Sequence, residues 1–141
     1  MSQEERNTAI LREAYRRWAE TRGGSVDHWL SILPEDEIKF GSLAMGRVSA
    51  LEFTQQRHSR EGVEAYLRGL TADWEMISYD VDHSIAQGDR VVVIARTSWR
   101  YKPNRKVIDT PKVDTWRFNA DGKAIEFFEY YDTAAMFEAV R

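Results

Sequence analysis

The chain contains no cysteine, which excludes disulfides, thiol nucleophiles and thiolate metal sites together. Three prolines and eight glycines among 141 residues are too few for a linker-rich or low-complexity protein, and no internal repeat is visible. The three histidines, His28, His58 and His83, stand on separate segments without the spacing of a ligand pair, so no metal site is expected. An excess of positive charge is also missing. With a net charge of -3 and no concentrated Lys/Arg surface, nucleic acid is not expected as a partner, because neutralising phosphates requires one. No apolar run approaches membrane-spanning length, and MSQEERNTAI lacks the apolar core of a signal peptide. No membrane association is therefore expected, and the cytoplasm is the default location.

What is present suits one domain over residues 1–141, long enough to bury a real core. Ser2-Gln3-Glu4-Glu5 fits a capping box, and Ile10, Leu11, Ala14, Tyr15 and Trp18 then recur at helical spacing up to Gly23-Gly24. Ser25 is placed to cap a second, short helix that stops at Pro34, and a brief strand is predicted over 37–42. The stretch 41–59 has no clear period and reads as a long connection, either a lid over an opening or a surface excursion. A third helix is predicted over 60–71. Two strands follow, over 76–86 and 91–99, the first alternating Ile77, Tyr79, Val81, His83 and Ile85 against Met76, Ser78, Asp80, Asp82 and Ser84. Residues 133–141 complete the chain as a short helix capped by Asp132 or Thr133.

The most informative stretch is VIDTPKVDTWRFNADGKAIEFFEYYDT, from Val107 to Thr133. Two alternating segments flank Asn119-Ala120-Asp121-Gly122, which predicts a β-hairpin, with Pro111 marking a bulge or an edge in the first arm. One face of the first arm carries Lys112, Asp114, Trp116 and Phe118; one face of the second carries Ile125, Phe127, Glu129 and Tyr131. Each apolar face thus includes a carboxylate. Buried charge is costly unless paired, so the face is either salt-bridged or lines a pocket with a polar base. Helices followed by consecutive antiparallel strands imply an α+β fold: a curved sheet forming a cone around the N-terminal helices, with a small-molecule pocket inside. The partly apolar convex face of such a sheet is a natural homodimer interface.

This arrangement, with VDTWRFNADGK and EYYDTAAMFEAV, resembles the SnoaL-like members of the nuclear transport factor 2-like superfamily, which includes ketosteroid isomerase, limonene epoxide hydrolase and polyketide cyclases. Similarity to ketosteroid isomerase implies an oxyanion hole built from Tyr15 and Asp114, a site type for which a carboxylic acid kept neutral by apolar surroundings is the known example. The position matching that enzyme's base is Phe40, which cannot accept a proton. Similarity to limonene epoxide hydrolase implies that Arg96 pairs with Glu129, with Ser98 in place of one acid of its triad. Both comparisons put Arg96, Ser98, Asp114 and Glu129 on the concave face.

The resulting expectation is a cofactor-independent pocket protein for a small hydrophobic molecule bearing an oxygen. Asp114, Tyr15, Glu129 and Arg96 are the catalytic candidates. Phe40, Ser98, Trp116, Phe127 and Tyr131 are candidates for contact with the substrate. Acid–base chemistry such as isomerisation, cyclisation or hydration would use these parts. The alternative is a non-catalytic binding or dimerisation module whose polar residues satisfy one another.

Overall fold

Ser2 opens the first helix, α1 (Gln3–Glu20), by accepting the Glu5 amide at 3.1 Å, while Glu5 reaches back to the Ser2 amide. The capping box read from the sequence is therefore formed. The computed structural model describes residues 1–141. After α1 come α2 (Val26–Ser31), β1 (Asp36–Ser42), a 3-10 turn at Ser49–Thr54, β2 (Arg57–Ser59) and α3 (Arg60–Asp73). Four long strands then follow, β3 (Trp74–Gln87), β4 (Arg90–Tyr101), β5 (Val107–Phe118) and β6 (Ala124–Tyr131), before α4 (Thr133–Ala139). Asp132 caps α4 by accepting the Ala135 amide. Ser25 precedes α2 without making a side-chain cap, so that sequence expectation fails; only its carbonyl is used, by His28 and Trp29.

All six strands form one sheet in the order β2-β1-β6-β5-β4-β3. The predicted hairpin joins β5 to β6, and Gly122 takes the left-handed conformation (φ 77°) that its turn needs. β1 is inserted parallel to β6, which continues the sheet beyond the last antiparallel strand and carries Phe40 beside Phe127. Pro111 causes no break in the β4–β5 register, where it faces Arg96. It lies one residue past the last β5–β6 pair, Lys112–Tyr131, so β5 has a ladder partner on only one side there.

β3 departs from simple alternation. Its register against β4 slips between Met76 and Ser78 and again between Val81 and His83. Each slip inserts one residue and bends the strand. Trp74, Met76 and Tyr79 are all buried as a result, whereas Ile85 is exposed. The 28 buried apolar residues form one cluster between the helices and the concave face. All five tryptophans belong to it, which concentrates large flat side chains around the space the sheet encloses. No helix is long and apolar enough to cross a membrane.

Candidate functional site

β5 supplies the polar centre of the concave face. Lys112, Asp114 and Trp116 alternate inward, and Asp114 lies opposite Glu129 of β6. Asp114 is 1% exposed, so the arrangement of its oxygens decides its chemistry. Oδ2 accepts the Tyr15 hydroxyl from α1 at 2.5 Å and the Tyr79 hydroxyl from β3 at 3.1 Å. Oδ1 has no hydrogen-bond partner and lies 3.4 Å from the Lys112 ammonium.

Two groups that can only donate also meet the phenol oxygens. The Trp116 indole N–H donates to the Tyr15 oxygen at 2.9 Å, and Lys112 Nζ donates to the Tyr79 oxygen at 2.9 Å. Each phenol oxygen accepts there, and the Asp114 carboxylate, which can only accept when ionised, takes both phenol protons. Tyr15 thus donates inward to Asp114. The expected pair of outward donors is replaced by a carboxylate fixed at one oxygen, with the other oxygen lacking a hydrogen bond.

Lys112 also meets Glu129 Oε2 at 2.8 Å, while Tyr66 of α3 donates to Glu129 Oε1. The ammonium lies 5.0 Å from the Tyr79 ring centre and 5.9 Å from that of Phe127, close enough for cation–π attraction. Burial alone would lower the Lys112 pKa, but Asp114 and Glu129 outweigh it and hold it well above the usual range. Burial pushes the Asp114 carboxyl up, and the Lys112 charge partly counteracts this. Burial, reinforced by the neighbouring carboxylates, pushes Tyr15, Tyr66 and Tyr79 up. These phenols stay protonated donors at neutral pH.

The cluster forms the polar end of a narrow cavity, about 40 Å³ enclosed and about 500 Å³ with its open mouth included. Nine of the sixteen lining residues are aromatic. Trp29 stacks on Trp116 with centroids 5.5 Å apart and planes within 6°, and Phe40 stacks on Phe127 at 4.3 Å. Such walls fit a flat, largely apolar molecule.

Tyr15, Asp114 and Glu129 therefore meet in one site, with Phe40, Trp116 and Phe127 in its walls. Tyr131 is adjacent: it bonds Ser42 at 2.5 Å and the Ala44 amide, and lines a second cavity. Arg96 and Ser98 do not join the site. Arg96 lies on the convex face with its side chain 64% exposed and forms a two-pronged pair with Asp82 at 2.9 and 3.0 Å. Ser98 bonds Asp109 on the same outer side. The inward residues of β4 are Val91, Val93, Ala95, Thr97 and Trp99, so Arg96 and Ser98 must point outward. Lys112 takes the place expected for Arg96. Its signal was its position two residues before Asp114 on an apolar strand face. Tyr66 and Tyr79 were legible only as members of apolar stripes. No group of three or more His, Asp or Glu side chains is arranged to hold a metal ion.

Comparison with known proteins matches the fold that holds this site. A nuclear transport factor 2-like protein of unknown function from Burkholderia pseudomallei superposes with a TM-score of 0.82 at 25% identity, covering 99% of this chain and 98% of its own. A candidate SnoaL-like polyketide cyclase from Jannaschia sp. CCS1 gives 0.79 at 19% identity, with 99% and 94% covered. A third structure, TerC co-crystallised with polyporic acid, gives 0.76 at 19%, with 96% and 98% covered. No curated protein sequence matches the chain. The model of the SnoaL-like domain matches residues 11–127, a span that begins on α1 and ends within β6. The chain accordingly belongs to the SnoaL-like domain family, with the nuclear transport factor 2-like fold.

Proposed function

We propose that this protein binds a small, flat, hydrophobic molecule carrying an acidic O–H, or a C–H made acidic by a neighbouring carbonyl, and that Asp114 takes its proton. The observation that carries the reading is the buried Asp114 carboxylate, whose Oδ2 holds two hydrogen bonds while Oδ1 has none. A carboxylate buried in an apolar wall costs several kcal/mol, on the order of 3 or more, when incompletely paired. A ligand proton completes its coordination. The bond to hydrogen breaks on the ligand, a new O–H forms at Oδ1, and the electron pair left on the ligand oxygen is stabilised by Lys112. Glu129, held by Tyr66 and Lys112, balances the ammonium before the ligand arrives. Isomerisation, cyclisation or hydration would then proceed by acid–base chemistry without a cofactor. A related fold crystallised with an organic acid supports the ligand class, and the aromatic walls support its flatness.

Titration with 2-naphthol, followed by absorbance at neutral pH, tests the reading. Wild-type protein should bind it and show the naphtholate spectrum. Asp114→Asn should bind the neutral naphthol, and Lys112→Met should bind at least about tenfold more weakly, the scale of a lost charge-assisted bond. Neutral naphthol in the wild-type pocket, or binding indifferent to both substitutions, would refute proton transfer and leave a passive binding module. No binding would refute the ligand class.

A further inference from the structure

The cavity does not end at the polar cluster. A second small cavity, about 60 Å³ enclosed and about 450 Å³ with its open mouth included, lies beyond it and shares Leu70, Trp99, Lys112 and Glu129 with the first. The Lys112–Glu129 pair thus stands, with Leu70 and Trp99, in the wall common to two chambers. The far chamber is walled by Trp74 and Ile108 and covered by Met136 of α4. Trp74 is 2% exposed, and its indole N–H has no hydrogen-bond partner. Two buried polar atoms here lack a hydrogen-bond partner: Asp114 Oδ1, which has only the Lys112 ammonium at 3.4 Å, and the indole N–H of Trp74, a residue of the far wall.

The pair is joined through one carboxylate oxygen. Glu129 is held twice, by Tyr66 on Oε1 and by Lys112 on Oε2. Releasing Oε2 frees the ammonium while Tyr66 keeps the carboxylate in place. We infer that the ligand spans both chambers: its acidic oxygen lies mid-molecule and replaces Glu129 Oε2 on Lys112, with one apolar group on each side. The class is a hydrophobic enol or acid whose ionisable oxygen is flanked by two apolar arms. The ligand enters protonated. Its O–H bond breaks, Asp114 Oδ1 gains the proton, and the oxygen keeps the electron pair, so the charge of the cluster is redistributed with no co-reactant. This inference rests on the proposed proton acceptor and adds a length requirement to it.

The experiment compares two enols of one core. Benzoylacetone has a phenyl ring on one side of its enol, and dibenzoylmethane has one on each. Wild-type protein should bind dibenzoylmethane at least about tenfold more tightly, as expected for burying a second ring. Met136→Trp, which fills the far chamber from a half-exposed position, should remove that advantage and change benzoylacetone affinity less than about twofold. Equal affinities in the wild type, or an equal loss of both ligands in Met136→Trp at an unchanged Tm, would overturn the two-chamber site while leaving the first pocket standing. Binding of neither compound would overturn both readings. The wild-type comparison holds even if the variant folds poorly.

Discussion

Replacing Lys112 with Met removes the only cation of the buried cluster while nearly preserving its volume. The ammonium lies 2.8 Å from one Glu129 oxygen and 3.4 Å from Asp114 Oδ1. At an effective dielectric of about 20 these separations correspond to attractions of about 6 and about 5 kcal/mol, largely offset by the cost of burying the charges. Deleting one partner leaves that cost uncompensated. The net loss from such a deletion is about 3–5 kcal/mol, and for a domain of this length it lowers Tm by about 10–17 °C. The loss should also depend on pH. Asp114 already has a raised pKa through burial, and Lys112 works against that rise. Without Lys112 its folded pKa rises further, while the unfolded value stays near about 4. An acid whose folded pKa lies above its unfolded pKa binds more protons when folded, so folding weakens as pH climbs through that interval. The deficit should therefore be full at pH 7.5 and shrink on acidification towards pH 5. Thermal melts of wild type and Lys112→Met across that range are the assay. A Tm change under about 2 °C at pH 7.5, or a deficit that grows on acidification, would refute the account of a buried, mutually compensating cluster.

Two further outcomes are expected outside the pocket. Arg96→Ala removes a pair in which the arginine is mostly exposed, so it should cost less than about 1 kcal/mol and leave naphthol affinity unchanged; a tenfold loss of binding would reinstate Arg96 in the site. We also propose that the convex face joins two copies of the chain. Ile85 and Tyr130 are exposed at 57% and 44%, and Phe128 packs on Tyr130 with ring centres 4.9 Å apart. Sedimentation should give about twice 16.4 kDa, and Tyr130→Glu should shift it towards the monomer without altering the melt of the isolated fold by more than about 1 kcal/mol. A wild-type monomer at all concentrations would refute the proposal.

The elements were largely legible because the local rules agreed with the final packing. The capping box of α1, the turn at 119–122 and the alternation of β5 each specify a conformation that the sheet also requires. Asp114, Glu129, Trp116 and Phe127 could be assigned to one surface from alternation alone. β4 resisted the same method: residues 91–95 are all apolar, so its inner face had to be set from Trp99, whose parity is opposite to that of Arg96. β3 was harder. The sequence carries no mark of its two inserted residues, and the first makes Met76 and Tyr79 inward neighbours although an odd number of positions separates them. Tyr66 and Tyr79 looked like ordinary core residues because their hydroxyl partners come from strands 33 or more positions away. Pairing across that distance depends on the curvature of the whole sheet, which no window of sequence contains.

The direction of the phenol protons has a consequence for how this fold changes its chemistry. Trp116 and Lys112 act as wiring: each fills an accepting position on a phenol oxygen, while Tyr15 and Tyr79 give their protons to the acid between them. In a relative with phenylalanine at the tryptophan's place and the aspartate protonated, the tyrosine oxygen would be free to accept from the acid and its own proton to turn towards the cavity. The proton-accepting pocket proposed above would become a proton-donating one with both headline residues intact. Sequence signatures restricted to the tyrosine and the acid would group two opposite chemistries together, and the residue that separates them is the indole behind the phenol.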